Sequence, residues 1–223
     1  MENVSYGGIM QALYGLSCLL AGYAVGSINP SYLISKRRGF DIRRRGSGNA
    51  GASNAVIVLG RTVGVLCAAI DVFKATLIIW TMEWLLPAYS LAQVITGVGC
   101  IVGHIFPFYM RFRGGKGLAC LGGLVLAYDW RVFLVMLVGG LAVAALSGYI
   151  CLVPVVAGFS FPIVYGLMQA DWQGALLLLA AGLLIGYRHR ENFRRIQMGT
   201  EMRLSFLWNR ERELARVREN REK

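Results

Sequence analysis

Residues 62–86 read TVGVLCAAIDVFKATLIIWTMEWLL, an apolar stretch long enough to cross a bilayer as one helix. Six further apolar runs lie at residues 8–28, 91–110, 117–128, 132–149, 151–168 and 173–187. The run at 117–128 is short, which predicts a tilted or broken helix with its ends shielded by protein. Charged residues make up 16% of the chain, against about 25% in soluble domains. The sequence therefore predicts an all-α integral membrane protein with about seven transmembrane helices.

The basic residues predict which side of the membrane each connection occupies. With the N-terminus outside and the C-terminus cytoplasmic, 21 of the 23 Lys and Arg residues fall on the inner side or in the C-terminal tail. This bias satisfies the positive-inside rule. The first apolar run lacks a basic segment before it, so we interpret it as a retained span rather than a signal peptide.

The composition also argues against other classes of protein. The net charge of +11 could indicate nucleic-acid binding, but most basic residues flank apolar runs and so favour contact with membrane lipid. The five cysteines are scattered and form no Cys-x-x-Cys pair, which predicts neither disulfides nor a metal site. We therefore expect no nucleic acid, metal or cofactor.

The chain divides into one long membrane domain and a short tail. We predict a single polytopic domain over residues 1–200 and a cytoplasmic tail over residues 201–223. Apolar residues recur in the tail at roughly helical spacing: Leu204, Leu207, Trp208, Leu214 and Val217. This pattern favours a short amphipathic helix on the membrane surface, and the alternative is a partly disordered, solvated tail.

Three polar clusters interrupt the apolar sequence. They are the polar loop at residues 46–54 (GSGNAGASN), the glycine loop at residues 113–117 (RGGKG) and the histidine cluster at residues 188–192 (RHREN). Each lies at the predicted inner end of an apolar run, and each lies beside or contains basic residues together with hydrogen-bond donors. This chemistry suits a phosphate group held at the membrane surface.

The glycine loop has the features of an anion site. Glycines allow the backbone to approach a ligand, and a helix that begins near Gly117 would present free N–H groups and a positive dipole end. Lys116 adds an ammonium and Arg113 a guanidinium. The Walker A spacing is absent. The alternative is a tight basic turn between two spans.

The other polar residues also admit two interpretations. The polar loop either donates hydrogen bonds to a ligand or is a flexible connection near the lipid headgroups. His189 and Asn192 share a helix face if the last span continues, and His189 is either a proton-transfer group or a structural residue. His104 favours a structural role at a helix end. Lys74 either pairs with Asp71 within its helix or faces a ligand.

These residues belong to motifs that follow one another along most of the chain. They are Gly26-Ser27-Ile28, Asp41-Ile42-Arg43, the polar loop, Asp71-x-x-Lys74, Gly103-His104-x-Phe106-Pro107, Phe112-x-Gly114-Gly115-Lys116-Gly117, Arg188-His189-x-x-Asn192-x-x-Arg195 and Gly199-Thr200-Glu201. In these motifs and their order the chain resembles the bacterial acyl-phosphate:glycerol-3-phosphate acyltransferases.

The resemblance implies a multi-pass enzyme of the bacterial inner membrane with a cytoplasmic active site. It implies transfer of a fatty acyl group from acyl phosphate to the 1-hydroxyl of glycerol 3-phosphate, which gives lysophosphatidic acid and phosphate in the first acylation of phospholipid synthesis. Its implied partners are these two substrates, membrane lipid and, in addition, other enzymes of phospholipid synthesis. The H-x-x-x-x-D motif of acyl-CoA-dependent acyltransferases is absent.

The resemblance also implies roles for single residues. Catalytic roles fall on Ser47, Lys116, His189 and Asn192. The glycine loop would bind one phosphate, the polar loop would bind phosphate or glycerol, and Glu191 would hold the arrangement around His189 and Asn192. Contact with substrate is expected of a wider set: Arg45, Gly48, Asn49, Ser53, Asn54, Arg61, Lys74, His104, Gly114, Gly115, Gly117, Arg188 and Glu191.

One departure from the family pattern concerns charge. The family has an arginine where this chain has Ile57, and we expect Arg61, one helical turn further on, to compensate. Two rival functions remain: a weak or silent relative that binds phospholipid or a partner enzyme, and an anion transporter. A transporter needs access from both faces, whereas the three polar clusters are predicted to lie on one face.

Overall fold

The computed structural model describes residues 2–222, apart from the side chains of residues 2–6 and 221. Regular structure in this part of the chain is helical, with no β-strand. The α-helices are α1 Glu2–Ser27, α2 Pro30–Arg37, α3 Ala52–Leu59, α4 Arg61–Leu85, α5 Ala92–Ile105, α6 Leu118–Tyr128, α7 Trp130–Ser147, α8 Val153–Gln169, α9 Trp172–Arg188, α10 Arg190–Gln197 and α11 Arg210–Glu222. Short 3-10 turns occur at Ile42–Arg44, Phe108–Met110, Ile150–Leu152 and Leu204–Leu207.

Each of the seven apolar runs forms a helix, so the predicted all-α class is confirmed. Five helical stretches within residues 2–222 are long and apolar enough to cross a membrane: Gly7–Arg37, Arg61–Leu85, Ala92–Met110, Trp130–Ser147 and Ile150–Gln169. The helices α6 and α9 are apolar but shorter. A total of seven spans, and an N-terminus outside the cell, stay predictions.

The short helix α6 lies inside the bundle. Its residues Cys120, Leu121, Leu124 and Val125 are buried in the main apolar core, which α4, α5, α8 and α9 also line. A Cβ on Gly123 would overlap the backbone carbonyl of Val72 in α4. A helix too short to span alone is thus surrounded by protein, as a buried broken segment requires.

Small residues allow α1 and α5 to pack closely along their length. A Cβ on Gly26 would overlap the carbonyl of Cys100, and a Cβ on Gly103 would overlap the carbonyl of Tyr23. Close backbone approach at small residues is a common mode of helix association in membranes. The contact brings the end of α1 beside the end of α5, where the polar clusters begin.

The segment between α1 and α4 forms its own small core. Ile42, Ala50 and Ala55 are buried and pack with Met110 of the turn after α5. This packing argues against the alternative that the polar loop is a flexible connection, because apolar side chains on both sides of the loop are buried together. The helix α3 ends at Leu59, and the next residue, Gly60, has a φ of 98° that interrupts the helix before α4 begins at Arg61.

The tail packs against the membrane domain. Phe206, Glu213 and Val217 are buried, whereas Trp208 is exposed. The five apolar tail residues do not share one helix, because Leu204 and Leu207 lie in a 3-10 turn that precedes α11. The domain division and a membrane-surface position for the tail stay predictions.

Candidate functional site

The glycine loop folds back against the end of α5. The amide of Gly114 donates to the carbonyl of Ile105 at 2.9 Å, and the amide of Gly115 donates to the carbonyl of His104 at 3.0 Å. A Cβ on Gly115 would collide with Nε2 of the His104 ring. These glycines are therefore required for close approach within the protein, and their N–H groups are not free for a ligand.

The free donors lie one step further along, at the start of α6. The residue before this helix, Gly117, has a φ of 94° and offers no side-chain cap. A helix that lacks a cap presents unpaired N–H groups and a positive dipole end in its first turn. The N–H groups that remain open to an anion are thus those at the beginning of α6 rather than those of Gly114 and Gly115.

Lys116 links the glycine loop to the histidine cluster. Its Nζ donates to Oδ1 of Asn192. Burial is the main cause that lowers the pKa of Lys116 to about 8; the neighbouring Arg195 and Arg188 act in the same direction, and Glu201 acts against them. The ammonium still predominates at pH 7, but it is short of negative partners in the part of the chain that the structure describes.

Asn192 is held in turn by Glu201. Nδ2 of Asn192 donates to Oε1 of Glu201 at 2.7 Å, and Nε of Arg195 donates to Oε2 at 2.6 Å. Both Asn192 and Glu201 are buried. Glu191 was predicted to hold Asn192 in place, but Glu191 is exposed on α10 and the carboxylate that contacts Asn192 is that of Glu201. We call Lys116, Asn192, Glu201 and Arg195 the Lys116 junction.

His189 is the single residue that connects α9 to α10. The last long helix ends at Arg188, so His189 and Asn192 are related by a turn rather than by a continued span. Nδ1 of His189 lies 2.8 Å from the carbonyl of Ile185, and since a carbonyl only accepts, Nδ1 carries the proton. Burial, with Lys116 and Arg188 nearby, lowers the pKa of His189 to about 4. His189 is therefore neutral at pH 7, with Nε2 as an acceptor.

Arg188 adds a second cation that lacks a carboxylate partner among the contacts of the described residues. Its Nε is buried and makes no hydrogen bond, and its guanidinium lies 5.7 Å from the centre of the Phe106 ring. A buried guanidinium nitrogen without an acceptor has a cost in free energy. Together with Lys116, it leaves this end of the bundle with a local surplus of positive charge.

Asn54 organises the polar loop. Its Oδ1 accepts from the amide of Ser47 at 2.7 Å. Its Nδ2 donates to the carbonyls of Asn49 at 2.7 Å and of Ile42 and Arg45 at 3.1 Å. The side chain is fully buried. Asn54, expected to contact substrate, therefore shapes the polar loop from within.

The other predicted residues of the polar loop lie nearer the surface. Ser47, Gly48 and Ser53 are exposed, Asn49 is half-buried, and the Arg45 guanidinium stacks 4.1 Å from the centre of the Phe40 ring. The hydroxyls of Ser47 and Ser53 are thus open to solvent and to a ligand.

Arg43 ties the polar loop to the glycine loop. Its Nη1 donates to the carbonyls of Met110 at 2.6 Å and Arg113 at 3.3 Å, while Asp41 holds its other nitrogens. The ion pair lowers the pKa of Asp41. Since Lys116 joins the glycine loop to the histidine cluster, the structure brings all three polar clusters together.

Lys74 belongs to a closed cluster beneath the glycine loop. Its Nζ donates to the carbonyls of Gly26 at 2.9 Å and Ile28 at 2.5 Å and to Oδ1 of Asp71 at 2.5 Å. Nδ1 of His104 lies 3.4 Å from the same carboxylate oxygen. We call Asp71, Lys74 and His104 the buried triad. The three hydrogens of Lys74 are used within the protein, so the substrate contact predicted for Lys74 is not available in this arrangement.

The buried triad also resembles part of a metal site. Asp71, His104 and Cys120 offer ligand atoms that lie within 4.8 Å of one another. The Lys74 ammonium already neutralises the Asp71 carboxylate, which removes the charge that a cation would require. The residues present therefore favour an internal ion pair over a metal ion.

The compensation expected of Arg61 does not fit the fold. Ile57 lies in α3 and Arg61 begins α4, and Gly60 breaks the helix between them, so the two positions do not share a helix face. Arg61 is exposed. The guanidinium that reaches position 57 belongs to Arg210 of α11, whose Nη2 lies 3.4 Å from the Ile57 carbonyl oxygen.

Three contributors were missed from the sequence, namely Arg43, Arg195 and Glu201. All three stand within the quoted motifs, but they had no assigned role. The signal for Glu201 was an acidic residue directly after Gly199-Thr200 in a basic segment. That pattern indicates an internal ion pair, but it does not name the partner.

Fold and site together define a helical membrane protein with a cationic cluster at one end of its bundle. The sequence profile of glycerol-3-phosphate acyltransferase matches residues 16–199. The chain belongs to this family.

Curated relatives and solved structures agree with that assignment. Glycerol-3-phosphate acyltransferases of Lactiplantibacillus plantarum and Thermotoga petrophila are 36% and 33% identical, over 84% and 83% of this chain and 91% and 94% of theirs. The crystal structure of PlsY (YgiH), an integral membrane glycerol 3-phosphate acyltransferase in its glycerol 3-phosphate form, has a TM-score of 0.80 at 31% identity. It covers 86% of this chain and 96% of its own. The lysophosphatidic acid form has a TM-score of 0.77 at 30% identity, with the same coverage.

Proposed function

We propose that this protein transfers a fatty acyl group from acyl phosphate to the 1-hydroxyl of glycerol 3-phosphate, releasing lysophosphatidic acid and phosphate. Family membership supports the acceptor, and the solved relative in a lysophosphatidic acid form supports the product. The acyl phosphate donor rests on the motifs of the sequence and on the chemistry of the site.

The surplus of positive charge around Lys116 carries the proposal. Arg188 and Arg195 act on Lys116 from two helices, and Glu201 is the carboxylate that opposes them among the described residues. A dianionic phosphate placed between the first turn of α6 and Lys116 would restore the balance. Both substrates carry such a phosphate, so one cationic region can serve donor and acceptor.

The reaction needs positioning more than covalent help. Acyl phosphate is a mixed anhydride and is already activated. The acceptor hydroxyl oxygen forms the new ester bond at the acyl carbon, and the bond from that carbon to the phosphate oxygen breaks. Lys116, Arg188 and the α6 N–H groups would stabilise charge on the phosphate and in the transition state.

The hydroxyl proton has two possible acceptors. Nε2 of His189 is unprotonated at neutral pH and can accept a hydrogen bond from the hydroxyl, which would orient it for attack. The low pKa of His189 makes it a weak base. The departing phosphate, which gains negative charge as the bond breaks, can take the proton instead. Asn192 would then orient Lys116, and the hydroxyls of Ser47 and Ser53 would bind the phosphate or glycerol.

The location of the site follows from the basic residues. All three polar clusters lie together at one end of the bundle, and the positive-inside rule predicts that this end faces the cytoplasm. We propose the bacterial inner membrane, with this end of the bundle facing inwards. Single cysteines at positions 47 and 191, in a cysteine-free background, should resist an impermeant maleimide in intact cells and react after permeabilisation.

The donor assignment is tested with purified protein in lipid vesicles. Labelled glycerol 3-phosphate is supplied with palmitoyl phosphate or palmitoyl-CoA, and lysophosphatidic acid is measured. Product is expected with palmitoyl phosphate alone. Equal turnover with palmitoyl-CoA would refute the donor, and absence of product with both would favour the silent relative that Ile57 suggests.

A further inference from the structure

The helix α11 lies outside the family match, which ends at residue 199, yet it contacts the backbone beside the Lys116 junction. Nη1 of Arg216 donates to the carbonyl of Gly199 at 2.5 Å, and Nη2 donates to the carbonyl of Glu201 at 2.6 Å. Asn220 of the same helix donates to the Gly199 carbonyl at 2.9 Å. Two side chains of α11 therefore hold the chain on both sides of Thr200.

Arg216 is itself fixed in place. Its Nη2 and Nε lie 2.5 and 3.1 Å from Oε1 of Glu213. Glu213 is buried and also accepts from the amide of Arg203 at 2.8 Å and from the hydroxyl of Ser205 at 3.1 Å. A planar guanidinium held by a carboxylate presents its remaining donors in a defined direction. Arg216 is thus preorganised to donate hydrogen bonds to the carbonyls of Gly199 and Glu201.

The contacts continue without interruption to Lys116. The backbone that Arg216 holds carries the Glu201 carboxylate, which accepts from Asn192 and Arg195. Asn192 accepts from Lys116. We propose that Arg216 is a positioning residue of the candidate site, which acts from α11 by aiming the Glu201 carboxylate at Asn192 and thereby setting the place of Lys116. This inference rests on the proposed function for its kinetic consequences, but its geometry does not depend on the reaction.

The kinetic test uses the full chain in lipid vesicles with acyl phosphate and glycerol 3-phosphate. Arg216→Ala should raise KM for glycerol 3-phosphate about 5- to 20-fold with a smaller change in kcat, because the phosphate contacts are displaced rather than removed. Arg216→Lys should rescue little, because Arg216 reaches its partners with three separate nitrogens, Nε, Nη1 and Nη2, and a single ammonium nitrogen does not reproduce those positions. The matched control is Arg218→Ala, which removes an exposed arginine from the same helix.

A double-mutant cycle separates positioning from general stabilisation. Arg216→Ala should add little to Glu201→Gln, since both changes act through the same carboxylate. If the two losses multiply, or if Arg216→Ala matches Arg218→Ala in an active parent, the positioning role is wrong.

A measurement that requires no catalytic turnover distinguishes an error in the positioning role from an error in the proposed function. The modification rate of Lys116 by an amine reagent is followed against pH by mass spectrometry. The groups that face Lys116 are Arg188, His189, Arg195, Glu201 and Cys151. Displacing Glu201 in Arg216→Ala should lower the titration midpoint and speed modification several-fold near pH 7. An unchanged midpoint refutes the positioning role even if the parent has no acyltransferase activity.

Discussion

The buried triad and the Lys116 junction each combine a lysine with a carboxylate, and each has a histidine in or beside it. The two lysines differ in whether partners within the protein balance the charge of the ammonium. The Lys74 ammonium bonds two carbonyls and Asp71, which uses its three hydrogens. Lys116 bonds the neutral amide of Asn192, while Glu201 is engaged by Arg195 and Asn192. A lysine with complete internal partners stabilises the fold, and one with cationic neighbours is available to an anion.

The largest expected effect comes from opening the buried triad. Lys74→Met leaves the Asp71 carboxylate buried without its main partner, which costs about 3–5 kcal/mol when a buried pair is broken from one side. We expect a clear fall in the melting temperature of the detergent-solubilised protein. The double variant Lys74→Met with Asp71→Asn should melt higher than the single variant. A single variant as stable as the parent would contradict the structural role of Lys74.

Removing the charge of the open lysine should affect activity and leave the fold intact. Lys116→Ala loses a charge-assisted hydrogen bond to phosphate, about 1.5–3 kcal/mol, so kcat/KM should fall about 10- to 100-fold. The melting temperature should stay near that of the parent. The control is Lys36→Ala, which removes an exposed lysine and should keep full activity. Unchanged kinetics in Lys116→Ala would favour the alternative that the glycine loop is only a tight basic turn between two spans.

Two glutamates provide the next comparison. Glu201→Gln removes the negative charge of the carboxylate to which Arg195 and Asn192 both donate, so kcat/KM should fall about 5- to 30-fold. Glu191→Gln changes an exposed carboxylate of the same size and should stay within about twofold. A larger loss in Glu191→Gln than in Glu201→Gln would favour the role predicted from the sequence over the contacts of the structure.

The pH dependence of the reaction should report the open lysine. The pKa of Lys116 is about 8, and the site requires its charged form, so kcat/KM for glycerol 3-phosphate should fall as pH rises through 8. His189, with a pKa of about 4, stays neutral throughout this range. Glu201 raises the pKa of Lys116, so Glu201→Gln should move the fall to lower pH. A flat profile from pH 7 to 9 would contradict a charged Lys116 in catalysis.

The smallest effect is expected at Arg61. Because Gly60 separates α3 from α4, its guanidinium does not share a helix face with position 57. Arg61→Ala should therefore behave like Arg131→Ala, each within about twofold of the parent rate. A loss of tenfold at Arg61 alone would restore it as the replacement for the missing family arginine.

Hydrophobic runs predicted the helices well, because each apolar stretch must pair its backbone internally in lipid. The helix breaks at Gly60 and His189 were not predicted, and no proline marks either position. Within the site, Lys116 and Asn192 were both predicted as catalytic residues. Their direct bond joins residues 76 positions apart, and the bond from Asn192 to Glu201 depends on a turn after α10 that brings together residues nine positions apart. Helical periodicity describes neither contact.

The length of α6 has a consequence for how the two substrates arrive. Its 11 residues rise about 16 Å, roughly half of a hydrocarbon layer of about 30 Å. If Asp129 lies at one membrane surface, as the predicted topology has it, the first turn of α6 and Lys116 lie below the headgroups of the other surface. A water-soluble substrate must descend to this depth, while a lipid-like donor reaches it by lateral diffusion. For the proposed acyl phosphate donor, supply would then be governed by partitioning into the bilayer, so the rate should follow the amount of donor per unit of membrane rather than per volume of solution.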